Sequence, residues 1–255
     1  VSDNGAGLVR TQRSGRLLIV RMCRENKRNA VNRQLADELD AAFNQLEDDD
    51  DLWAGVLTGT SRVFCAGSDL TAGGDYSTER GGEYGLIRRQ RRKPLIAAVE
   101  GPAFGGGLEL VLACDLVVAS RTAQFGLPEV SRGLVASSGA LFRAPRALPA
   151  ALARELLLTG DPVDADRGYA IGLVNRVTEP GEAVAAAVAL GTRICANAPA
   201  AVQASLVAAN RWLAAAEEFG WQVTADALAA IGQSRDYQEG IAAFLEKRPP
   251  RWSGR

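Results

Sequence analysis

The sequence predicts an α/β fold with a helical C-terminal part, on three observations. Short β-prone runs alternate with helical patterns as far as about residue 126. Beyond Ser137 the chain is mostly Ala/Leu-rich and helical in pattern. No internal repeat and no long linker divides it, and 255 residues suffice for one large core or two small domains. A break near residue 198 therefore separates a core, 1–198, from a helical region, 199–255, as subdomains rather than independent domains.

The elements follow in order. Residues 8–12 and 17–22 flank Arg13-Ser14-Gly15-Arg16 and read as an antiparallel hairpin, since Leu17-Leu18-Ile19-Val20 is β-prone and Ser-Gly is turn chemistry. Residues 25–29 form a polar loop. Asn32 can then cap a helix running to about Glu47, with Leu35, Leu39, Phe43 and Leu46 on one face and the acidic run 47–51 at its solvated end. Residues 53–57 read as a short buried strand, 58–64 as a loop, and Cys65-Ala66-Gly67-Ser68-Asp69-Leu70 as the entry to a helix or turn. Residues 71–85, rich in Gly, Ser and Thr, have the composition of a mobile segment, and 84–92 has a helical pattern. Residues 94–99 read as a strand, and 101–107 as a turn into a helix that includes Glu109 and ends near Cys114. Residues 116–119 and 124–126 are two further strands. Farther on, Asp161-Pro162 and 175–180 interrupt the helical pattern, with Leu173-Val174 extended, and 199–245 reads as two or three amphipathic helices.

Composition narrows the function classes. The chain is 47% apolar and 23% charged with a net charge of −1, so nothing global points to nucleic acid or an anionic membrane. Cys23, Cys65, Cys114 and Cys195 are scattered, with no CxxC pair, and there is no histidine. A zinc site is therefore not expected, and the cysteines read as buried reduced thiols, which suits a cytoplasmic protein. Val1-Ser2-Asp3-Asn4-Gly5 is polar, so no signal peptide is expected. No apolar run approaches the roughly 20 residues that span a bilayer. Without histidine, proton chemistry near neutral pH falls to carboxylates, Tyr, Cys or Lys.

Two glutamates stand where apolar stretches meet turn-forming residues: Glu109 in Phe104-Gly105-Gly106-Gly107-Leu108-Glu109, and Glu129 in Phe125-Gly126-Leu127-Pro128-Glu129. A carboxylate in such a place is costly to bury unless it is paired or used. Taken singly, Glu109 can be a helix residue paired with an arginine and Glu129 a surface turn residue. Together they are a candidate acid/base pair. Gly105-Gly106-Gly107 ahead of a helix, and likewise Ala66-Gly67-Ser68-Asp69, can present backbone N–H groups, and two such donors on one carbonyl oxygen form an oxyanion hole. Glycine runs also serve plain tight turns. GxGxxG as a strand–helix fingerprint and GxxxxGK are absent. Ser68, Ser137 and Ser138 lack the histidine of a usual triad, and Lys27, Lys93 and Lys247 are the only lysines for a Ser–Lys pair. Arg88, Arg89, Arg91 and Arg92 can contact phosphates or form a solvated or interface face.

Four motifs in order carry a resemblance: Asn26-Lys27-Arg28-Asn29-Ala30-Val31-Asn32, Val63-Phe64-Cys65-Ala66-Gly67-Ser68-Asp69-Leu70, Gly101-Pro102-Ala103-Phe104-Gly105-Gly106-Gly107-Leu108-Glu109, and Phe125-Gly126-Leu127-Pro128-Glu129. From about residue 8 to its end the chain resembles the crotonase (enoyl-CoA hydratase/isomerase) superfamily. The resemblance implies a spiral of ββα units with a C-terminal helical trimerisation region, assembled as trimers or dimers of trimers. It implies an acyl-CoA thioester substrate and no separate cofactor, coenzyme A being part of the substrate. By motif position, the two N–H groups on the thioester oxygen fall on Ser68 and Gly106. Pantetheine and adenine run past Lys27, Arg28 and Ala30 and past Ala66, Gly67, Asp69 and Leu70. The two hydratase carboxylates fall on Glu109, which orients and deprotonates the water, and Glu129, which exchanges the proton at the α-carbon. The implied reaction is syn addition of water to a trans-2-enoyl-CoA. Its rivals are a sibling reaction such as Δ3,Δ2-enoyl-CoA isomerisation and a silent acyl-CoA binder. One departure is local: Ser137 stands where a glycine usually helps place the water, so a narrower or more polar pocket is expected.

Overall fold

Leu17-Leu18-Ile19-Val20 is apolar at consecutive positions, so the strand it forms has to be covered on both faces. The computed structural model, which describes residues 7–73, 76–214 and 216–254, shows how. β1 (Val9–Ser14) and β2 (Leu17–Met22) form the expected antiparallel hairpin, closed by the Ser14↔Leu17 pair. The Asn32 side chain caps α1 (Arg33–Asp48) by accepting from the Leu35 N–H at 3.0 Å, and the helix buries Leu35, Leu39, Phe43 and Leu46. β3 (Ala54–Thr58) follows, then a two-stranded ribbon of β4 (Ser77–Thr78) and β5 (Gly82–Glu83), then β6 (Leu95–Val99), β7 (Pro102–Phe104) and α2 (Gly106–Leu112). After these come β8 (Leu116–Ser120), β9 (Gln124–Gly126), a 3-10 turn at Pro128–Arg132, α3 (Ala140–Ala147) and α4 (Ala150–Thr159). The rest is β10 (Val163–Asp164), α5 (Ala165–Ala170), β11 (Arg176–Thr178), α6 (Ala183–Cys195), α7 (Pro199–Ala214), α8 (Glu217–Gly232) and α9 (Arg235–Glu246).

The main sheet has the order β1-β2-β3-β6-β8-β11, parallel from β2 onward. On one face Leu18, Val20, Leu57, Ala97 and Val99 join Leu35, Leu39 and Phe43 of α1 in the main core. On the other, Ile19, Val56, Ile96, Ala98 and Val118 pack on Ala183 and Ala187 of α6. A second sheet, β10-β9-β7, carries the site, with β7 and β9 parallel. The break expected near residue 198 falls in the short turn between α6 and α7. No single helix among the described residues is long and apolar enough to cross a membrane.

Two expectations are corrected. Residues 84–92 are turns and not a helix, because Tyr84 (φ 57°) and Gly85 (φ 75°) adopt the left-handed region, which a right-handed helix cannot contain. Leu173-Val174 is not extended; both N–H groups bond the Gly168 carbonyl, closing α5, and the strand starts at Arg176. The segment 71–85 holds the β4–β5 ribbon, whose Thr78 hydroxyl donates to Asp40 of α1 at 2.7 Å. Residues 74 and 75 of it lie outside the described residues.

Candidate active site

Twenty residues separate Glu109 from Glu129, and the parallel pairing of β7 with β9 removes that distance. Phe104 lies opposite Gly126, and the Gly105 N–H donates to the Gly126 carbonyl at 2.9 Å. The chain leaves both strands at the same end. One exit starts α2, with Glu109 in its first turn, and the other starts the 3-10 turn with Glu129. Gly105 sits at φ 55°, and a methyl group on it would lie 2.9 Å from Glu129 Oε1, so only glycine fits between the two exits.

The segment around Ser68 is laid against them by Cys65, which bridges to Ala103, and by Ser68, which bridges to Val31. The Gly67 carbonyl accepts from the Val31 N–H at 2.7 Å. In a trans peptide the N–H points opposite the preceding carbonyl, so the Ser68 N–H is turned away from Val31. Likewise the Gly105 carbonyl accepts from the Glu109 N–H inside the helix, and the Gly106 N–H points outward from its start. The two groups are neighbours: a methyl on Gly67 (φ 91°) would lie 3.1 Å from the Gly106 nitrogen. Two adjacent N–H donors facing one space can hold a single oxygen.

Glu109 is buried, with 2% exposure, and Glu129 is half-buried. Glu109 Oε1 accepts the Ala140 N–H at 3.1 Å, an N–H that begins α3 and has no acceptor within it. Glu129 Oε2 is buried and has no hydrogen-bond partner. Burial, and then the neighbouring Glu129 carboxylate, pushes Glu109 up to about 8, opposed by Ala140 and by the N–H and hydroxyl that Ser138 presents. Burial pushes Glu129 up to about 7, opposed by its own backbone N–H and by Arg132. Each group can therefore carry or release a proton near neutral pH.

Ala66, Gly67, Ser68, Leu70, Gly106, Glu109, Glu129 and Ser137 all line one cleft of about 450 Å³. Lys27, Arg28, Ala30 and Asp69 do not line it; the last three are tied to its wall by hydrogen bonds. The Arg28 carbonyl accepts the Ala66 N–H at 3.1 Å, and Arg24 bonds both the Ala30 carbonyl and Asp69 at 2.7 Å. Burial opposes it, yet hydrogen bonds from Thr71 and Arg24 hold the Asp69 carboxyl below its ordinary range. The arginine cluster is spent on ion pairs: Arg88 with Glu83, Arg89 with Asp40, Arg91 with Asp115 and Arg92 with Glu47. Cys65 is buried and its thiol pushed up to about 12 by desolvation. All four cysteines are free.

Sequence reasoning missed three contributors. Ser138 rather than Ser137 faces Glu109, and a serine pair offers no signal to choose between them. Asn29, fully buried, donates to the Val63 and Phe64 carbonyls and so ties the 24–31 loop to the Ser68 segment. Tyr84 lines the cleft, with its hydroxyl 2.8 Å from Ser68 Oγ. A lone aromatic within Gly81-Gly82-Glu83-Tyr84-Gly85 was the available signal for it.

A crotonase-type spiral core with a buried and a half-buried carboxylate beside two neighbouring N–H groups defines a class of acyl-thioester enzyme, and comparison with known proteins agrees. The Enoyl-CoA hydratase/isomerase family matches residues 12–255. A mevalonyl-coenzyme A hydratase of Aspergillus fumigatus is 37% identical over 246 residues, covering 92% of this chain and 91% of that protein. A short-chain-enoyl-CoA hydratase of Clostridium acetobutylicum is 33% identical over 245 residues, covering 93% and 94%. The crystal structure of a carnitinyl-CoA hydratase from Mycobacterium avium superposes with a TM-score of 0.91 at 40% identity, covering 97% of this chain and 99% of that one. This chain belongs to the enoyl-CoA hydratase/isomerase family.

Proposed function

We propose that the protein is an enoyl-CoA hydratase, a hydro-lyase that adds water reversibly and syn to a trans-2-enoyl-CoA, giving the 3-hydroxyacyl-CoA. The observation that carries this reading is the pair of glutamates, Glu109 buried and Glu129 half-buried with an unpartnered buried oxygen, beside two outward N–H groups in one cleft. The thioester oxygen sits between the N–H groups of Ser68 and Gly106, which take the enolate-like charge that develops as the β-carbon is attacked. Losing one such donor typically costs ~10²–10³ in rate. Glu109, ionised, takes a proton from the water as its oxygen bonds to the β-carbon. Glu129, protonated, delivers a proton to the α-carbon. The pair starts and ends each turnover with one proton, so dehydration runs through the same groups with their roles exchanged.

Coenzyme A enters as part of the substrate, past Lys27, Arg28, Ala30 and Asp69 as the resemblance implies, and no separate cofactor is needed. Leu228, Ile231 and Ile241 of α8 and α9 also line the cleft and supply apolar surface suited to the acyl chain. The location is cytoplasmic, which the four free thiols support.

Glu109→Gln and Glu129→Gln are each expected to lower crotonyl-CoA hydration by about 10³-fold or more, read by loss of enoyl absorbance. Near-normal turnover in either variant would sink the reading. Solvent ¹⁸O appearing in the product separates hydration from Δ3,Δ2 isomerisation, which adds no water. Acyl-CoA affinity without turnover on a C4 to C16 panel would identify a silent binder instead.

A further inference from the structure

Tyr84 touches both residues whose N–H groups face the cleft. Its hydroxyl shares a hydrogen bond with Ser68 Oγ at 2.8 Å. Its ring edge lies against Gly106: a methyl there would meet Tyr84 Oη at 2.7 Å and Cζ at 2.8 Å. Gly106 does not adopt a positive φ, so its backbone would admit a side chain; the phenol takes the space instead. Tyr84 itself stands at φ 57°, a region that glycine enters freely and a residue with a Cβ enters at a cost. Gly81, Gly82 and Gly85 surround it in the chain, yet the position is a tyrosine, with 5% exposure.

The phenol spans a gap that the backbone leaves open. The Phe104 N–H donates to the Cys65 carbonyl at 2.9 Å. Beyond that bond each segment passes through a glycine at positive φ, Gly67 at 91° and Gly105 at 55°. Among the described residues, no backbone hydrogen bond joins 66–70 to 105–107. Ser68 is held along its other edge, where the Gly67 carbonyl accepts from Val31 and the Asp69 N–H donates to the Val31 carbonyl at 2.8 Å. That pairing sets which way the Ser68 N–H points but not its distance from Gly106. Tyr84 is itself anchored. Its N–H donates to the Tyr76 carbonyl at 3.0 Å, and a methyl on the next residue, Gly85, would lie 2.6 Å from the Ala36 carbonyl oxygen of α1. Burial raises the phenol above its ordinary value and keeps it protonated.

We propose that Tyr84 is a positioning residue for this pair of donors: its hydroxyl holds Ser68, its ring backs Gly106, and the two N–H groups are kept at the separation from which both reach one thioester oxygen. This role rests on the cleft holding a thioester, as the hydratase reading has it, and not on water adding to the acyl chain. Negative charge grows on that oxygen as the reaction proceeds, so a misplaced donor costs more in the transition state than on binding.

Tyr84→Phe keeps the ring against Gly106 and removes the tie to Ser68. For crotonyl-CoA, kcat is expected to fall about tenfold with KM within about twofold, short of the ~10²–10³ for losing a donor outright. A readout free of turnover is the infrared carbonyl stretch of butanoyl-CoA labelled with ¹³C at its carbonyl, a thioester with no double bond to hydrate. With the wild type, the stretch should fall below that of the free ligand; with Tyr84→Phe, it should return part of the way. Ser68→Ala removes the same bond from its other end, with the phenol in place, and should move kcat and the stretch the same way. The Tyr84→Phe/Ser68→Ala double variant should be no worse than the more impaired single variant. A wild-type stretch and kcat in Tyr84→Phe, a rise in KM with kcat kept, or full additivity of the two changes overturns the proposal. So does a wild type that leaves the stretch as it is in the free ligand. Should Tyr84→Phe fail to fold, Ser68→Ala decides by the same two measurements. A wild type that lowers the stretch but hydrates no enoyl-CoA overturns the hydratase reading alone, and the stretch in Tyr84→Phe still decides the role of Tyr84.

Discussion

Glu109 and Glu129 are costly to the folded protein in the form that does chemistry. Burial raises both, so each binds its proton more tightly folded than unfolded. Below about pH 4.5, the ordinary carboxyl value, both are protonated in either state and cost nothing. As the pH rises toward 7 and 8 the unfolded chain has already ionised, the folded one resists, and stability falls across that window. Glu109→Gln should therefore stabilise the protein by on the order of 1–3 kcal/mol at pH 8 and by little at pH 4, measured by urea unfolding. A gain independent of pH would contradict the assignment. The catalytic counterpart is a bell-shaped kcat/KM profile. With the two groups raised to about 7 and about 8, the pair holds its single proton only around that range, and activity should fall on both sides of it. The pair acts jointly, so the two limbs belong to it and not to either residue alone.

At the scale of elements, the site is a consequence of two short parallel strands whose exits meet. Gly105 is where they meet, at a positive φ and against Glu129 Oε1. Gly105→Ala adds both a strained backbone and a collision with that carboxylate. It should cost about 1–2 kcal/mol in stability and about 10²-fold in kcat by displacing Glu129, read by urea unfolding and steady-state kinetics. A variant with wild-type kcat would mean that Glu129 does not depend on this contact. The same scale explains which elements were legible. α1 has a capping asparagine and a clean apolar face, and both were readable locally. Residues 84–92 carry a helical pattern too, but two left-handed residues at its head send the chain into turns. What makes that conformation worthwhile is Tyr84 reaching Ser68, a contact 16 residues away that no local pattern reports.

On the scale of the whole molecule, the apolar surface is concentrated in the C-terminal helices. Trp212 is 84% exposed and Phe219 69% exposed, with Leu228, Phe244 and Leu245 also uncovered. Trp221, by contrast, packs edge-on against Phe142 at 5.0 Å under Arg88. We propose that α7–α9 form the contacts of a trimer or dimer of trimers, as the resemblance implies, since helices with this much uncovered aromatic surface call for a partner. Sedimentation equilibrium should give three or six times the chain mass, and Trp212→Ser with Phe219→Ser should shift it toward the monomer; a monomeric wild type contradicts this. The sequence by itself determined the fold class, the paired glutamates and the glycine turns beside them. Strand propensity, capping and turn chemistry act over a few residues, and the motifs hold those residues contiguously. Tertiary structure decided the rest. The pairing of β7 with β9 brought Glu109 to Glu129, the bridges at Cys65 and Ser68 set one N–H beside the other, and burial raised both carboxyls. Those are properties of neighbours distant in the chain, and the dielectric around a side chain exists only once such neighbours have closed over it.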